Sequence, residues 1–116
     1  MRVKRIISNV AVPDVAAVRH FYETLLGLTV AMDHGWIVTL ASGEAMQTQI
    51  SLATQGGSGT QVPALSIEVD DLEEAHRRMG EAGIAIEYGP VDEPWGVRRF
   101  YVRDPVGTLI NILAHR

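Results

Sequence analysis

The sequence contains no cysteine among its 116 residues. That absence excludes disulfides, thiolate metal sites and a thiol nucleophile together. No apolar stretch approaches membrane-spanning length either. The opening MRVKRIISNVAV carries a basic pair, but its apolar part is short and alternating, without the uninterrupted core of a signal peptide. The chain is therefore expected to be soluble and cytoplasmic, with no membrane partner. An excess of positive charge is also missing. Formal net charge is −4, which makes the protein as a whole a poor match for a phosphate backbone and argues against nucleic acid. What is present is ordinary globular usage, 47% hydrophobic and 21% charged, in a length that suits one domain.

The two halves of the chain look alike. VAVPDVAAVRHFYETLLGLTV from Val10 and IEVDDLEEAHRRMGEAGIAI from Ile67 both read strand, acidic cap, helix, glycine, strand. Val12, Asp14 and Val15 map onto Val69, Asp71 and Leu72 at a constant offset, and Gly27 maps onto Gly83 with a one-residue slip. This self-similarity predicts two copies of one supersecondary unit. In the first helix Val15, Val18, Tyr22, Leu25 and Leu26 recur at helical spacing, with Asp14 as cap and Gly27 as terminator. In the second, Leu72, Ala75, Met79 and Ala82 form the stripe; Asp70 with Glu73, or Asp71 with Glu74, has capping-box spacing, and Gly83 closes it. Strands are expected over Arg5–Val12, Leu28–Met32, Trp36–Ala41, Gln47–Ala53, Ala64–Val69, Ile84–Tyr88, Arg98–Arg103 and Thr108–Ala114. Between the halves TQGGSGTQVP, Thr54–Pro63, reads as a flexible Gly- and Ser-rich linker. The organisation predicted is one α+β domain of two β-α-β-β-β modules, residues 1–53 and 64–116, joined by linker 54–63. Each helix can cover only one face of its sheet.

The paired plan resembles the vicinal oxygen chelate superfamily, which includes glyoxalase I, extradiol dioxygenases and the fosfomycin and bleomycin resistance proteins. VPDVAAVRHFYETLLGL, VDDLEEAHRRMGEAG and WGVRRFYVRDPVGTLIN carry the resemblance in the right order over nearly the whole chain. The last is close to the Trp-Gly then Arg-Asp-Pro-x-Gly pattern of bleomycin-resistance-type members. The resemblance implies a curved mixed sheet with a concave cleft and helices on its outer face. It also implies a divalent metal held in enzymes by one side chain from each of four strands, usually two His plus Glu or Gln. Imidazole and carboxylate suit Zn, Mn, Fe and Ni. On this chain those four positions fall at Ile7, Ala64, Asn111 and Ser51 or its same-face neighbour Gln49. Only a Gln oxygen among them is a plausible donor. The four histidines lie elsewhere, at 20, 34, 76 and 115. No metal, no other cofactor and no catalytic residue are therefore expected.

Asn111, in the apolar run LINIL, is the residue that needs a reason. It stands where an enzyme of this family carries its carboxylate ligand. An amide offers a donor and an acceptor without charge, which suits orienting an organic ligand. The bland alternative is an Asn meeting solvent or a neighbouring strand. Strand parity supplies the other candidates for ligand contact: Ile7 and Asn9; Gln49 and Ser51, with Gln47; Ala64 and Glu68, with Ser66; and Arg99 and Tyr101 if Phe100 and Val102 pack under the helix. A polar sheet face is also what simple contact with water produces. Trp36 and Trp95 are the only tryptophans. Packing is the commoner role for an indole and is preferred for Trp36, whereas Trp95, in a PWG loop, is the better ligand candidate. The arginines at 98, 99 and 103 have a plainer explanation in neutralising Asp92, Glu93 and Asp104 at the surface.

The first functional reading is a metal-independent small-molecule-binding protein that works by affinity, sequestering an antibiotic or metabolite, as a homodimer. A glyoxalase-like lyase or isomerase, or a dioxygenase, is the alternative, with Glu68 or Tyr101 as acid or base and a carboxyl of raised pKa as its mark. A third reading is an assembly module whose cleft is filled by a partner chain.

Overall fold

In the computed structural model, which describes residues 1–44 and 49–116, the chain divides into two units: Ile7–Val62, and Met1–Ile6 with Pro63–Arg116. Strand β1 (Val3–Ala11) contributes its first residues to the second unit and the remainder to the first. The reason lies in its pairing. Residues 8–11 run parallel to β4 (Gln49–Ala53), whereas the Asp70 amide donates to the Arg2 carbonyl at 3.0 Å beyond the end of β5 (Leu65–Val69).

The first unit contains α1 (Val15–His20), β2 (Thr29–Asp33), β3 (Ile37–Ala41) and β4, with strand order β2-β3-β4-β1. The β2/β3 and β3/β4 pairs are antiparallel and β4/β1 is parallel. Alternation sends Val38, Leu40, Ile50 and Leu52 to the face that receives Val15, Val18 and Tyr22 from the helix. Asp14 caps that helix by accepting from the Ala16 amide at 3.1 Å.

One expectation fails here. Leu25 and Leu26 do not join the apolar face; they are 68% and 61% exposed. The helix continues through a π-helical turn, Phe21–Leu25, whose i→i+5 bonding inserts an extra residue per turn. The α-helical period therefore stops predicting the face beyond Tyr22. Ile6 and Val10 of β1 likewise remain exposed, although strand parity assigns them to the helix side.

The second unit contains β5, α2 (Leu72–Glu81), β6 (Tyr88–Glu93), β7 (Val97–Arg103) and β8 (Leu109–His115). Its strand order is β1-β5-β8-β7-β6, with β5/β8 parallel and β6/β7 and β7/β8 antiparallel. Leu72 and Ala75 pack on Val69, Phe100, Val102, Ile110 and Ile112. Asp71 caps α2 by accepting from the Glu74 amide at 3.0 Å, and Gly83 ends it at φ +73. The opposite face of β7 and β8 therefore carries Arg99, Tyr101, Leu109, Asn111 and Leu113.

Two further elements differ from the sequence reading. The sixth strand is Tyr88–Glu93, not Ile84–Tyr88; Ile84 and Ile86 pack against the core from an unpaired segment. Gly89 and Pro90 read as turn residues, but β6 is an edge strand with an irregular register between Tyr88 and Val91, where proline is tolerated. Thr54–Pro63 is no free tether. Gly56 donates to the Thr60 carbonyl at 2.7 Å, Thr60 to Gly57 at 3.0 Å, and Gly59 to the Gln55 side chain at 2.8 Å. Residues 47 and 48 of the expected fourth strand lie outside the described residues. Among the described residues, no helix is long and apolar enough to cross a membrane.

Candidate functional site

The helix-free face of the second unit collects most of the polar residues that strand parity selects. Its centre is one cross-strand row, Ser66 on β5, Asn111 on β8 and Tyr101 on β7, each the direct partner of the next. Asn111 is 7% exposed. Its Nδ2 donates to Ser66 Oγ at 3.1 Å, while its Oδ1 is the buried side-chain polar atom, among the described residues, that has no partner. An orphaned buried acceptor costs about 1–3 kcal/mol, so its retention needs a cause.

Beside this row lies a buried ion pair. Arg99, 3% exposed, bonds the Glu93 carboxylate through Nε at 2.8 Å and through Nη2 at 2.5 Å. Its Nη1 donates to the Tyr101 hydroxyl at 2.8 Å, and the Tyr88 hydroxyl donates to Glu93 at 3.2 Å. The guanidinium carbon sits 4.9 Å from the Trp95 and Tyr101 ring centres and 5.4 Å from that of Tyr88. Such a planar cation is well matched to ring faces and to a carboxylate fork. Sequence reasoning placed Glu93 as a surface counter-ion and missed Tyr88 altogether. The signal was hidden because both belong to the displaced strand β6, which puts them opposite β7.

Glu68 forms a separate group at the end of the same face. Its buried carboxylate accepts from Arg5 Nε at 2.5 Å and contacts His115 Nδ1 at 3.0 Å and Lys4 Nζ at 3.6 Å. Burial works to raise its pKa, but hydrogen bonds from His115 and Arg5 and the Arg5 charge outweigh it and hold the carboxyl below the usual glutamate range. A depressed folded pKa contributes stability that is present above the unfolded value and is lost as pH falls through the folded one. The stability difference between wild type and Glu68→Gln should therefore shrink as pH drops below about 4.3, the ordinary glutamate value. A carboxyl-carbon NMR titration with its Glu68 midpoint at or above that value would refute this.

Ala64, just before β5, is exposed, and its amide donates to the Leu109 carbonyl at 2.9 Å. In the first unit Ile7 is buried, and Asn9 pairs with Ser51, which pairs in turn with Thr39. Ser51 Oγ and Thr39 Oγ1 are 2.7 Å apart, so this equivalent row contains a satisfied hydrogen bond. Gln49 is half-buried opposite Ala41, at the far end of β4 from Trp36, which stacks with His34 at 6.4 Å. The candidates thus separate into Asn111 with the Arg99 cluster, the Glu68 group, the Ser51 row, and Ile7, Ala64, Gln49 and Trp36 at other positions.

The donors do not fit a divalent metal. Of the four positions the family uses, one is a buried alkyl group, one an exposed methyl, one an amide already bonded to Ser66, and one is Ser51 or Gln49. Among the described residues, no three or more His, Asp or Glu side chains are placed to hold an ion. The histidines are engaged elsewhere: His20 with Thr24, His34 with Trp36, His76 against the Phe100 ring, and His115 with Glu68.

Comparison with known structures agrees with the fold. The chain is similar to an NAD-dependent benzaldehyde dehydrogenase from Legionella pneumophila (TM-score 0.76, 19% identity, 97% of this chain and 100% of that one). It is also similar to a glyoxalase/bleomycin resistance protein/dioxygenase superfamily member from Vibrio splendidus 12B01 (0.65, 20%, 99% and 100%). A third is methylmalonyl-CoA epimerase from Mycobacterium tuberculosis (0.60, 19%, 98% and 87%). At these identities the likeness is one of fold. A search of curated proteins gives no match. The family model described as Glyoxalase/Bleomycin resistance protein/Dioxygenase superfamily matches residues 3–112. The chain belongs to that superfamily.

Proposed function

We propose that the protein is a metal-independent small-molecule-binding member of its superfamily, holding an organic ligand against the helix-free face of the second unit. One observation carries this: the buried Oδ1 of Asn111, which has no partner among the described residues. A folded protein keeps such an atom at a cost, and a ligand donor that completes its bonding gives the cost a purpose. Asn111, Tyr101 and Trp95 contact the ligand in this reading, and Arg99 positions the two rings. Ser51, satisfied by Thr39, is structural. Affinity alone suffices to sequester an antibiotic or a metabolite.

Metal analysis of protein purified without chelators tests the metal-independent part. The expected result is a trace occupancy with no thermal shift on adding Zn, Mn, Fe or Ni. About one ion per chain, with stabilisation on re-addition, overturns it, because an ion bound only to the native state must stabilise that state. The acid/base alternative needs a carboxyl held high, whereas Glu68 is held low by its hydrogen bonds from His115 and Arg5.

Asn111→Leu should raise the stability of the ligand-free protein by about 1 kcal/mol, because it deletes the orphan acceptor along with one neutral hydrogen bond. A ligand found by thermal-shift screening should lose its effect on this variant. Denaturant titration showing a loss of stability larger than that gain would mean that Oδ1 is satisfied in solution.

The same reading includes a homodimer. Phe21, Leu25, Leu26 and Val30 of the first unit are large apolar side chains left open to solvent, and a symmetric partner is the commonest cover for such a surface. Sedimentation should give about twice the 12.7 kDa chain mass, reduced to the monomer by Leu25→Glu. A wild-type monomer at micromolar concentration sinks this part.

A further inference from the structure

The chemistry around Asn111 narrows the ligand class, granted that the face binds a ligand at all. We infer that the head group meeting Asn111 is an uncharged N–H or O–H donor of the primary amide or lactam kind, carried on a flat apolar body. Three observations support this. First, Oδ1 only accepts, so its partner must donate; Nδ2 is already used on Ser66. Second, the row that contains Asn111 is uncharged from end to end: Ser66, Asn111, Tyr101. Arg99, on the same face of the neighbouring strand, is matched by Glu93 at 2.5 Å. A carboxylate head would set its oxygens against an acceptor, and an amidinium or ammonium head would bury charge without a carboxylate to answer it. Third, Leu109 and Leu113 flank Asn111 on the same face, both buried, and the Tyr101 ring lies across the strand. The surroundings are apolar on either side of a single polar atom, the pattern of a site that reads one functional group; with less than 1 Å² of Oδ1 accessible, the ligand in this reading displaces the side chains that cover it.

The equivalent row of the first unit sharpens the point. Asn9, Ser51 and Thr39 occupy the matching strands, β1, β4 and β3, yet Ser51 and Thr39 satisfy one another. The same supersecondary unit therefore closes its polar row internally in one copy and, among the described residues, leaves a buried acceptor unpaired in the other.

The test uses one body with four heads: benzamide, N,N-dimethylbenzamide, benzoate and benzamidine. Binding is followed through the Asn111 side-chain amide resonances and Trp fluorescence on the full-length protein. Benzamide should shift the Asn111 signals, and each of the other three should bind at least about tenfold more weakly, as expected for loss of one good hydrogen bond. Asn111→Leu should abolish the benzamide effect, and Asn111→Asp should move the preference toward benzamidine. Benzoate as the best binder would mean that the amide is turned over, with Nδ2 open, and overturns the class. Benzamidine as the best binder of the wild type overturns it as well. If no member of the series moves Asn111 while another screened compound does, the class is wrong and the binding reading stands. If no screened compound moves it either, both fall.

Discussion

Arg99→Met lowers the free energy of unfolding by about 3–5 kcal/mol, the expected cost of breaking a buried ion pair by removing one partner. The size follows from what is left behind. Glu93 sits in the same buried cluster, with its side chain 3% exposed, and loses both of its bonds to the Arg99 guanidinium. Its carboxylate then lacks the charge that compensated its desolvation. The rings of Tyr88, Trp95 and Tyr101 also lose the planar group between them. The double variant Arg99→Met/Glu93→Leu should recover most of the loss, because apolar replacement of a whole buried pair is often neutral. Urea titrations of wild type, both single variants and the double variant give the coupling energy directly, provided the slope with denaturant is unchanged. A single-variant loss under about 1 kcal/mol would show that water reaches Glu93, and the cluster would then be a surface pair.

Gly89→Ala should cost about 3 kcal/mol or more. Gly89 holds φ +79, a region that costs an L-residue roughly 1–2 kcal/mol, and an added Cβ would press against the carbonyl oxygen of Arg99. That atom belongs to the backbone of a central strand, so it has no side-chain freedom with which to give way. The glycine is what lets the edge strand approach β7 closely enough for Glu93 and Tyr88 to meet Arg99. Gly43→Ala is the control: an added Cβ there would meet nothing within 4 Å, so the change should be neutral or stabilising by about 0.4–1 kcal/mol. Thermal unfolding compares the two. Equal midpoints would mean that β6 sits further from β7 than described, and the Arg99 cluster would lose its wall.

The two predictions meet on one strand that local sequence misreads. YGPVDEPWG contains two prolines and two glycines, and by residue type it is turn material. It pairs as β6 because an edge strand needs hydrogen bonds on one side only, so Pro90 is tolerated there. No short-range pattern indicates this, and Glu93 is consequently invisible as a partner for Arg99. The same limit applies at the first helix. Val15, Val18 and Tyr22 reach the core as their spacing requires, but the π-helical turn removes Leu25 and Leu26 from it.

What the sequence determined by itself is everything governed by local chemistry. Asp14 and Asp71 cap the helices and Gly27 and Gly83 end them. The repeat of the two halves and the motifs through WGVRRFYVRDPVGTLIN carry the superfamily. Period-two alternation puts Phe100, Val102, Ile110 and Ile112 under α2, which leaves Arg99, Tyr101 and Asn111 on the other face. What only the tertiary structure decided is which of those side chains found partners. Satisfaction of a buried group depends on register between strands far apart in sequence, where one residue of slip exchanges every contact. Thr39 met Ser51, Glu93 met Arg99, and Asn111 Oδ1 met no partner among the described residues.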